Sequence, residues 1–574
     1  MAEPRPDSLR RRDNQLFLAL SIVVGVLAGL SAVLFSLCID TLSRRVFGLE
    51  PSAVRLFAVP AGFSLVTGVL LDRWFPDVRG SGVPQTEAAY HLHNGLIPGR
   101  VAVGKFITGV LCVGSGHSMG REGPSVQIGA ALASAAGRWV GVSPDRVRAL
   151  VPIGAAGALA AAFNTPVAAV LFALEEIIGN LNASLIGSAV VASVASVVVE
   201  RSLLGNEPLF HVPAYQLVHP GELVVYAALG IVGGVLSVVF CKALLAARLA
   251  FRRLPARTLW LQPAIGGVII GLLLIVRPEV RGVGYDYVDQ ALNGSMVLRA
   301  FALLCVMKMV ATIVSYASGN AGGIFAPTLF IGAMAGGALG VVAQRVAPFP
   351  IAAPGAYALV GMGTLFAGII RAPMTSVFMV FEITQDYQIL VPLMVANLLS
   401  FVISRRFQAM PVYHALLHQD GIHLPVGEPV RSNAVTVRDV MDGDPLMLSP
   451  VEPAAAALAE LESRQADRAL VGTRTQLRGI VRRSDLADAI ARGEGGVQAA
   501  TLARAVTAHL HADQTIDRLF ERWPGADGIL PVVARDDAHR IEGAVTLREL
   551  VALLGSAEAP PAPMAMPVRR PDGG

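Results

Sequence analysis

Apolar residues recur along this chain in blocks about 20 residues long, residues 16–38, 56–71 and 223–241 among them. A helix needs about 20 mostly apolar residues to cross a hydrocarbon core about 30 Å thick. No water reaches that core, so such a run can satisfy its own backbone only by coiling into a helix. Several blocks of this length confine the chain to a polytopic helical membrane protein. Composition agrees, since 54% of the 574 residues are hydrophobic and only 15% charged, far from the balance of a soluble domain. One signal peptide cannot account for so many blocks, and residues 1–15 contain no apolar stretch of their own, so no cleaved secretion signal is expected.

The net charge of +4 gathers in short clusters, Arg10-Arg11-Arg12 ahead of the first block and Arg405-Arg406 after the last. The positive-inside rule then puts both termini of a multi-pass inner (plasma) membrane protein in the cytoplasm. There is no basic stripe with interleaved aromatics, so no nucleic-acid partner is expected. Cys38, Cys112, Cys241 and Cys305 stand singly in apolar segments. Neither a disulfide nor a metal site is expected from them.

Two regimes divide the chain. A cytoplasmic segment, 1–14, precedes a membrane domain over 15–420. Residues 408–433 lead to a mixed, charged region at 434–555, and the Pro/Ala-rich residues 556–574 are expected to be a disordered tail.

The membrane part repeats itself. Arg79-Gly80-Ser81-Gly82 matches Arg281-Gly282-Val283-Gly284 at an offset of 202, and Lys105 matches Lys308 at 203. Gly120-x-x-x-Pro124-x-x-x-Ile128-Gly129-Ala130 matches Gly323-x-x-x-Pro327-x-x-x-Ile331-Gly332-Ala333, also at 203. Pro166 and Glu175 match Pro373 and Glu382 at 207. The halves, about 16–205 and 220–405, predict an inverted repeat about a pseudo-two-fold axis, with the substrate site near mid-membrane where Gly and Pro break helices. The alternative for these glycines is close helix packing alone.

A helix that starts inside the membrane points unsatisfied N–H groups and the positive end of its dipole into a low-dielectric space, which suits an anion. Two such starts are predicted near Gly123-Pro124 and Ala326-Pro327, and the turn Gly80 to Pro84 adds a serine hydroxyl. Neutral donors hold a halide without trapping it. Glu122, just before one start, would compete with a transported anion and leave when protonated; alternatively it only caps the helix. Glu175 and Glu176 stand in an apolar run, where ionisable groups are functional candidates. Glu175 has a counterpart in Glu382 and so reads as structural. Glu176 is matched by Ile383, which makes it the candidate for something only one half does, such as passing protons.

The strings GSGVP (80–84), GREGPSVQIG (120–129), AAFNTPVAAVLFALEEI (161–177), GGIFAPTLFIGA (322–333) and MPVYHALL (410–417) resemble the CLC family of chloride channels and chloride/proton antiporters. The resemblance implies a homodimer with one anion pathway per subunit and helices of uneven length. It makes Ser81 and Tyr413 the hydroxyl donors to a central chloride, with the backbone N–H groups of Ile324 and Phe325 completing the site. Glu122 becomes the external gating glutamate and Glu176 the internal proton-transfer glutamate, which favours antiport; the alternative is a passive chloride channel. Ser81 matches the chloride-type motif, where nitrate-preferring relatives have proline. One departure is Gln85, where the commonest family wording has glutamate.

Residues 436–492 and 501–555 form a weaker repeat, each copy reading as strand, helix, strand, strand, helix. They resemble a pair of cystathionine-beta-synthase (CBS) domains, small α/β modules that often bind adenine nucleotides. Here Ser484-Asp485 approximates the ribose-holding turn, while the second copy has Glu549 in place of Asp. A purely structural pair is the alternative, and no other cofactor is expected.

An intramembrane serine hydrolase is the competing class, since Gly80-Ser81-Gly82 and Gly114-Ser115-Gly116-His117 offer serines, the second beside a histidine. Such an enzyme needs a base oriented by a third group, and neither His91, His93 nor His117 has an evident one. No enzyme activity is expected.

Overall fold

The computed structural model describes residues 7–549 apart from 49, 180–182, 206–208, 211, 214, 216, 425–435 and 524–527. It divides after Gln419 into two units. The expected disordered tail, 556–574, and residues 425–433 of the joint at 408–433 lie outside the described residues.

The first unit is helical, and eight of its described helices are long and apolar enough to cross a membrane. The block at 56–71 lies in the helix Ala53–Arg73, whose first turn is capped by the Ser52 hydroxyl accepting from Arg55 N. The block at 223–241 lies in Glu222–Arg252. The first helix, Asp7–Phe47, begins ahead of the apolar run, because polar residues can continue a helix beyond the bilayer at little cost. Shorter apolar helices, Gln262–Val276, Pro354–Ile369 and Pro373–Thr384, sit among the long ones. Pro354–Ile369 is buried from Gly355 to its end, which is where a helix too short to span is tolerated.

The repeat is visible as paired contacts. Lys105 Nζ donates to the carbonyls of Val78 (3.0 Å) and Gly80 (2.6 Å), and Lys308 Nζ to those of Val280 (3.1 Å) and Gly282 (2.6 Å). A Cβ on Gly129 would fall 2.4 Å from the Gly154 carbonyl, and one on Gly332 would fall 2.3 Å from that of Gly361. These two glycines therefore let the helices Glu122–Val140 and Phe325–Val346 pack against Pro144–Phe163 and Pro354–Ile369. Close packing is their role.

In the second unit β1 (Met447–Leu448) pairs parallel with β2 (Arg468–Thr473), and β2 pairs antiparallel with β3 (Gln476–Arg482). Helices Ala454–Ser463 and Arg483–Ala491 accompany this sheet. Leu448, Leu461, Val471, Val481 and Leu486 form its core. Further along, helix Ile516–Arg522 precedes the antiparallel pair β4 (Ile529–Val533) and β5 (Ile541–Thr546). Leu510 bridges parallel to Val532, as β1 does to β2. Leu470, Ile480, Ile529 and Ile541 join the two sheets in one cluster.

Candidate functional site

The two halves of the membrane unit cross at their glycine blocks. Gly120 and Gly323 exchange backbone hydrogen bonds of 2.7 and 2.8 Å, while Gly80 N donates to Asn320 O at 3.1 Å and accepts at its carbonyl from Gly322 N at 3.0 Å. Three helices start at this crossing: Val83–Leu92, Glu122–Val140 and Phe325–Val346. Each holds its proline, Pro84, Pro124 or Pro327, in the first turn, where a missing N–H costs nothing. The remaining first-turn N–H groups have no intrahelical acceptor. Ile324 and Phe325 open the third of these helices and are buried.

Ser81 and Tyr413 are fully buried, and among the described residues neither hydroxyl has a hydrogen-bond partner. Leaving a buried hydroxyl unsatisfied costs about 1–3 kcal/mol. Two of them beside three helix starts are a donor set suited to an anion. Gly123 leaves them room: a Cβ there would fall 2.4 Å from Ser81 Oγ.

Glu122 is fully buried as the first residue of its helix. Its Oε1 accepts from the Tyr285 hydroxyl at 2.5 Å. A Cβ on Gly120 would fall 2.2 Å from Glu122 Oε2 and 3.2 Å from Ala326 N. The carboxylate thus occupies space that only glycine leaves open, at the start of the opposite helix. A cavity of about 710 Å³ reaches Tyr285, the partner of Glu122, and is lined by charges of both signs, Arg121 and Arg281 with Asp40, Glu50 and Asp286.

Glu176 lies in a π-helical turn, Ala173–Ile178, is 6% exposed, and has one oxygen without a hydrogen-bond partner among the described residues. The wider turn sets its carboxylate beside Glu87, and these two with His414 bring one ligand atom each within 4.8 Å of one another. Glu87 is fully buried, with His414 Nε2 at 3.6 Å from its Oε2. Glu175 points elsewhere, accepting from Met374 N (3.1 Å) and Thr375 N (2.7 Å).

The voltage gated chloride channel family model matches residues 62–405, more than half of the chain, and a CBS domain model matches residues 437–492. The chain belongs to the voltage gated chloride channel (CLC) family. The H(+)/Cl(-) exchange transporter ClcA of Vibrio vulnificus is 34% identical over 417 residues, 70% of this chain and 89% of that one. The structure of a slow cyanobacterial Cl−/H+ antiporter is similar with a TM-score of 0.64 at 27% identity, covering 70% of this chain and 97% of its own. A eukaryotic CLC transporter, 19% identical, shares the fold over 93% of this chain and 97% of its own, with a TM-score of 0.64. The CLC fold with its CBS region is thereby the fold of this multi-pass membrane protein.

Two residues of this CLC site went unnoticed in the sequence. Tyr285 follows Gly284 where the first half has Val83, so a hydroxyl breaks the repeat at a helix start. Glu87 is the one acidic residue of the helix Val83–Leu92, an ionisable group inside the membrane domain, which was signal enough. Gln85 serves locally: its Oε1 accepts from Gly82 N and its Nε2 donates to Arg79 O, both at 3.0 Å. In the CBS region, Asp485 accepts from Arg504 through both oxygens, at 3.0 and 3.1 Å. Ser484 and Asp485 do not line the cavity of about 340 Å³ beside the second-copy turn Thr546 to Glu549. In that turn Glu549 accepts from Thr546 N at 2.8 Å.

The hydrolase pair is not assembled either. Ser115 Oγ donates to Cys112 O at 3.0 Å, and His117 instead meets Ser64 Oγ (2.5 Å) and Ser315 Oγ (3.2 Å). His91 Nε2 lies 3.0 Å from Ile177 O.

Proposed function

We propose that this CLC protein exchanges chloride for protons across the inner (plasma) membrane, as a homodimer with one pathway per subunit and both termini in the cytoplasm. The observation that carries the antiport reading is the buried pair Glu176 and Glu87, ionisable groups in an apolar interior that a chloride path alone does not need. Ser81, Tyr413 and the N–H groups of Ile324 and Phe325 would hold the anion. Glu122, protonated from outside, would leave Tyr285 and admit chloride. After passing its proton toward Glu176 and the cytoplasm, it would return and displace the chloride. One carboxylate then reads both ions.

For the CBS pair we favour the structural role. Arg504 holds the Asp485 carboxylate and Thr546 holds that of Glu549, so both candidate ribose acceptors are engaged within the protein. Transport itself calls for no cofactor.

The test is proton movement in proteoliposomes while chloride runs down its gradient, with Glu176→Ala beside the parent. Uphill proton transport that the variant loses while keeping chloride flux supports the exchanger. Chloride flux with no proton movement in either would make the protein a passive channel.

A further inference from the structure

The second unit gathers three histidines that transport does not use. His509 and His511 flank Leu510, which is tied into the sheet by Leu510 N to Pro531 O and Val533 N to Leu510 O, both at 2.9 Å. In extended backbone, residues two apart face the same side, so the two imidazoles project together. His423 arrives from a segment 86 residues earlier, docked by its N–H on Arg535 O at 2.8 Å. The ring centroids lie 5.1 to 5.4 Å apart. One nitrogen from each falls within 4.8 Å of the others.

The ligand chemistry is prepared at one member. His511 Nδ1 lies 2.9 Å from Val533 O. A carbonyl can only accept, so Nδ1 carries the hydrogen and Nε2 keeps its lone pair. A ring N–H held by a backbone carbonyl is the usual support of a metal-binding histidine. His511 is 3% exposed, and the Arg522 guanidinium holds the His509 carbonyl. Two nearby guanidinium groups oppose a cation, Arg522 and Arg535; for Arg535 the charge is offset by Asp513, which accepts from its Nε through both oxygens at 2.8 and 3.0 Å.

We propose that His423, His509 and His511 bind a zinc-class divalent transition ion, with a water completing its coordination. Three neutral imidazoles suit zinc, nickel or copper rather than magnesium or calcium. Zinc–nitrogen bonds of about 2.0–2.1 Å set tetrahedral ligand atoms about 3.4 Å apart, so nitrogens within 4.8 Å of one another need close by at most about 1.4 Å. The bound ion would fasten the segment around His423 to the sheet. Cysteine and histidine spacing gave no hint of this because the third ligand is remote in sequence.

Tag-free full-length protein in detergent, stripped with EDTA, is titrated with Zn²⁺ against a chromophoric chelator, and separately with Co²⁺. The expected result is one Zn²⁺ per chain, weakened at least about tenfold by His423→Ala and by His509→Ala, each with unchanged circular dichroism in EDTA. Wild-type protein with Co²⁺ should show the visible bands of a tetrahedral nitrogen-ligated ion. Three results would each overturn the site: absence of those bands, equal Zn²⁺ binding by the His423→Ala/His509→Ala double variant, or Zn²⁺ lost on Glu176→Ala instead.

Discussion

Glu175 and Glu382 each cap the helix that carries or adjoins the other. Glu175 accepts from Met374 N and Thr375 N in the first turn of Pro373–Thr384, and Glu382, in that same helix, accepts from Val167 N (2.9 Å) and Ala168 N (2.8 Å) at the start of Pro166–Phe172. Each carboxylate thereby satisfies orphan donors at a positive helix end belonging to the opposite half. This reciprocity separates Glu175, a structural acid, from its neighbour Glu176.

Loss of either cap should therefore cost stability and spare coupling. Glu382→Ala is expected to destabilise the protein by about 1–2 kcal/mol, read as a lower unfolding temperature in detergent. The ratio of protons to chloride should stay at the parent value. A changed ratio with unchanged stability would reverse the assignment.

Gly120 sets the resting position of Glu122, because a Cβ there would fall 2.2 Å from Oε2. Gly120→Ala should push the carboxylate out of the anion path and leave a chloride flux that external pH does not change. In the parent, flux should rise as external pH falls, since protonation removes the competing anion. Glu122→Gln should match the alanine variant. Chloride efflux from liposomes across a pH series distinguishes these outcomes, and a parent-like pH profile in Gly120→Ala would show that the gate does not rest there.

The Tyr413 hydroxyl is buried without a partner among the described residues, so its removal should not weaken the fold through a lost hydrogen bond. It should weaken the anion instead. Tyr413→Phe and Tyr413→Ala are expected to lower chloride affinity by calorimetry, the alanine variant about tenfold, equivalent to about 1.4 kcal/mol. Ser81→Pro should shift preference toward nitrate. Unchanged chloride affinity in all three would move the anion site elsewhere.

Much of this was legible because the repeat marks position twice. Lys105 with Lys308, and Glu175 with Glu382, could be paired by eye, and the pairs do the same work in each half. Gly129 and Gly332 were not decided by sequence, since a small residue serves packing and backbone breaks alike; carbonyls at 2.4 and 2.3 Å from an added Cβ decide for packing. Tyr285 and Glu87 escaped because their partners, Glu122 and Glu176, are 163 and 89 positions away: the crossing of the halves brings Tyr285 to Glu122, and packing within the first half brings Glu87 to Glu176. Helix Asp7–Phe47 outruns its apolar block because polar helix formers carry no hydropathy signal.

Arg504 competes directly with any ribose for Asp485. Full-length protein titrated with ATP should show no saturable binding at the Ser484–Asp485 turn, and Arg504→Ala, which frees the carboxylate, should gain affinity if the turn has the shape for a nucleotide. Tight ATP binding by the parent that Asp485→Ala abolishes would overturn the structural role.

Glu87 supplies the sharpest test of the proton path, because its buried carboxylate meets Glu176 and His414 where no bulk water neutralises it. On the proposed mechanism, a proton arriving at Glu176 would have this second carboxylate within 4.8 Å as a relay. Glu87→Ala should slow proton-coupled exchange by about tenfold, the scale of about 1.4 kcal/mol in a barrier, while chloride still binds because Ser81 and Tyr413 are untouched. Glu87→Gln keeps the shape without an exchangeable carboxyl proton, so it should be as slow as the alanine variant. If glutamine instead restores full exchange, Glu87 only fills space and Glu176 passes protons to the cytoplasm without it.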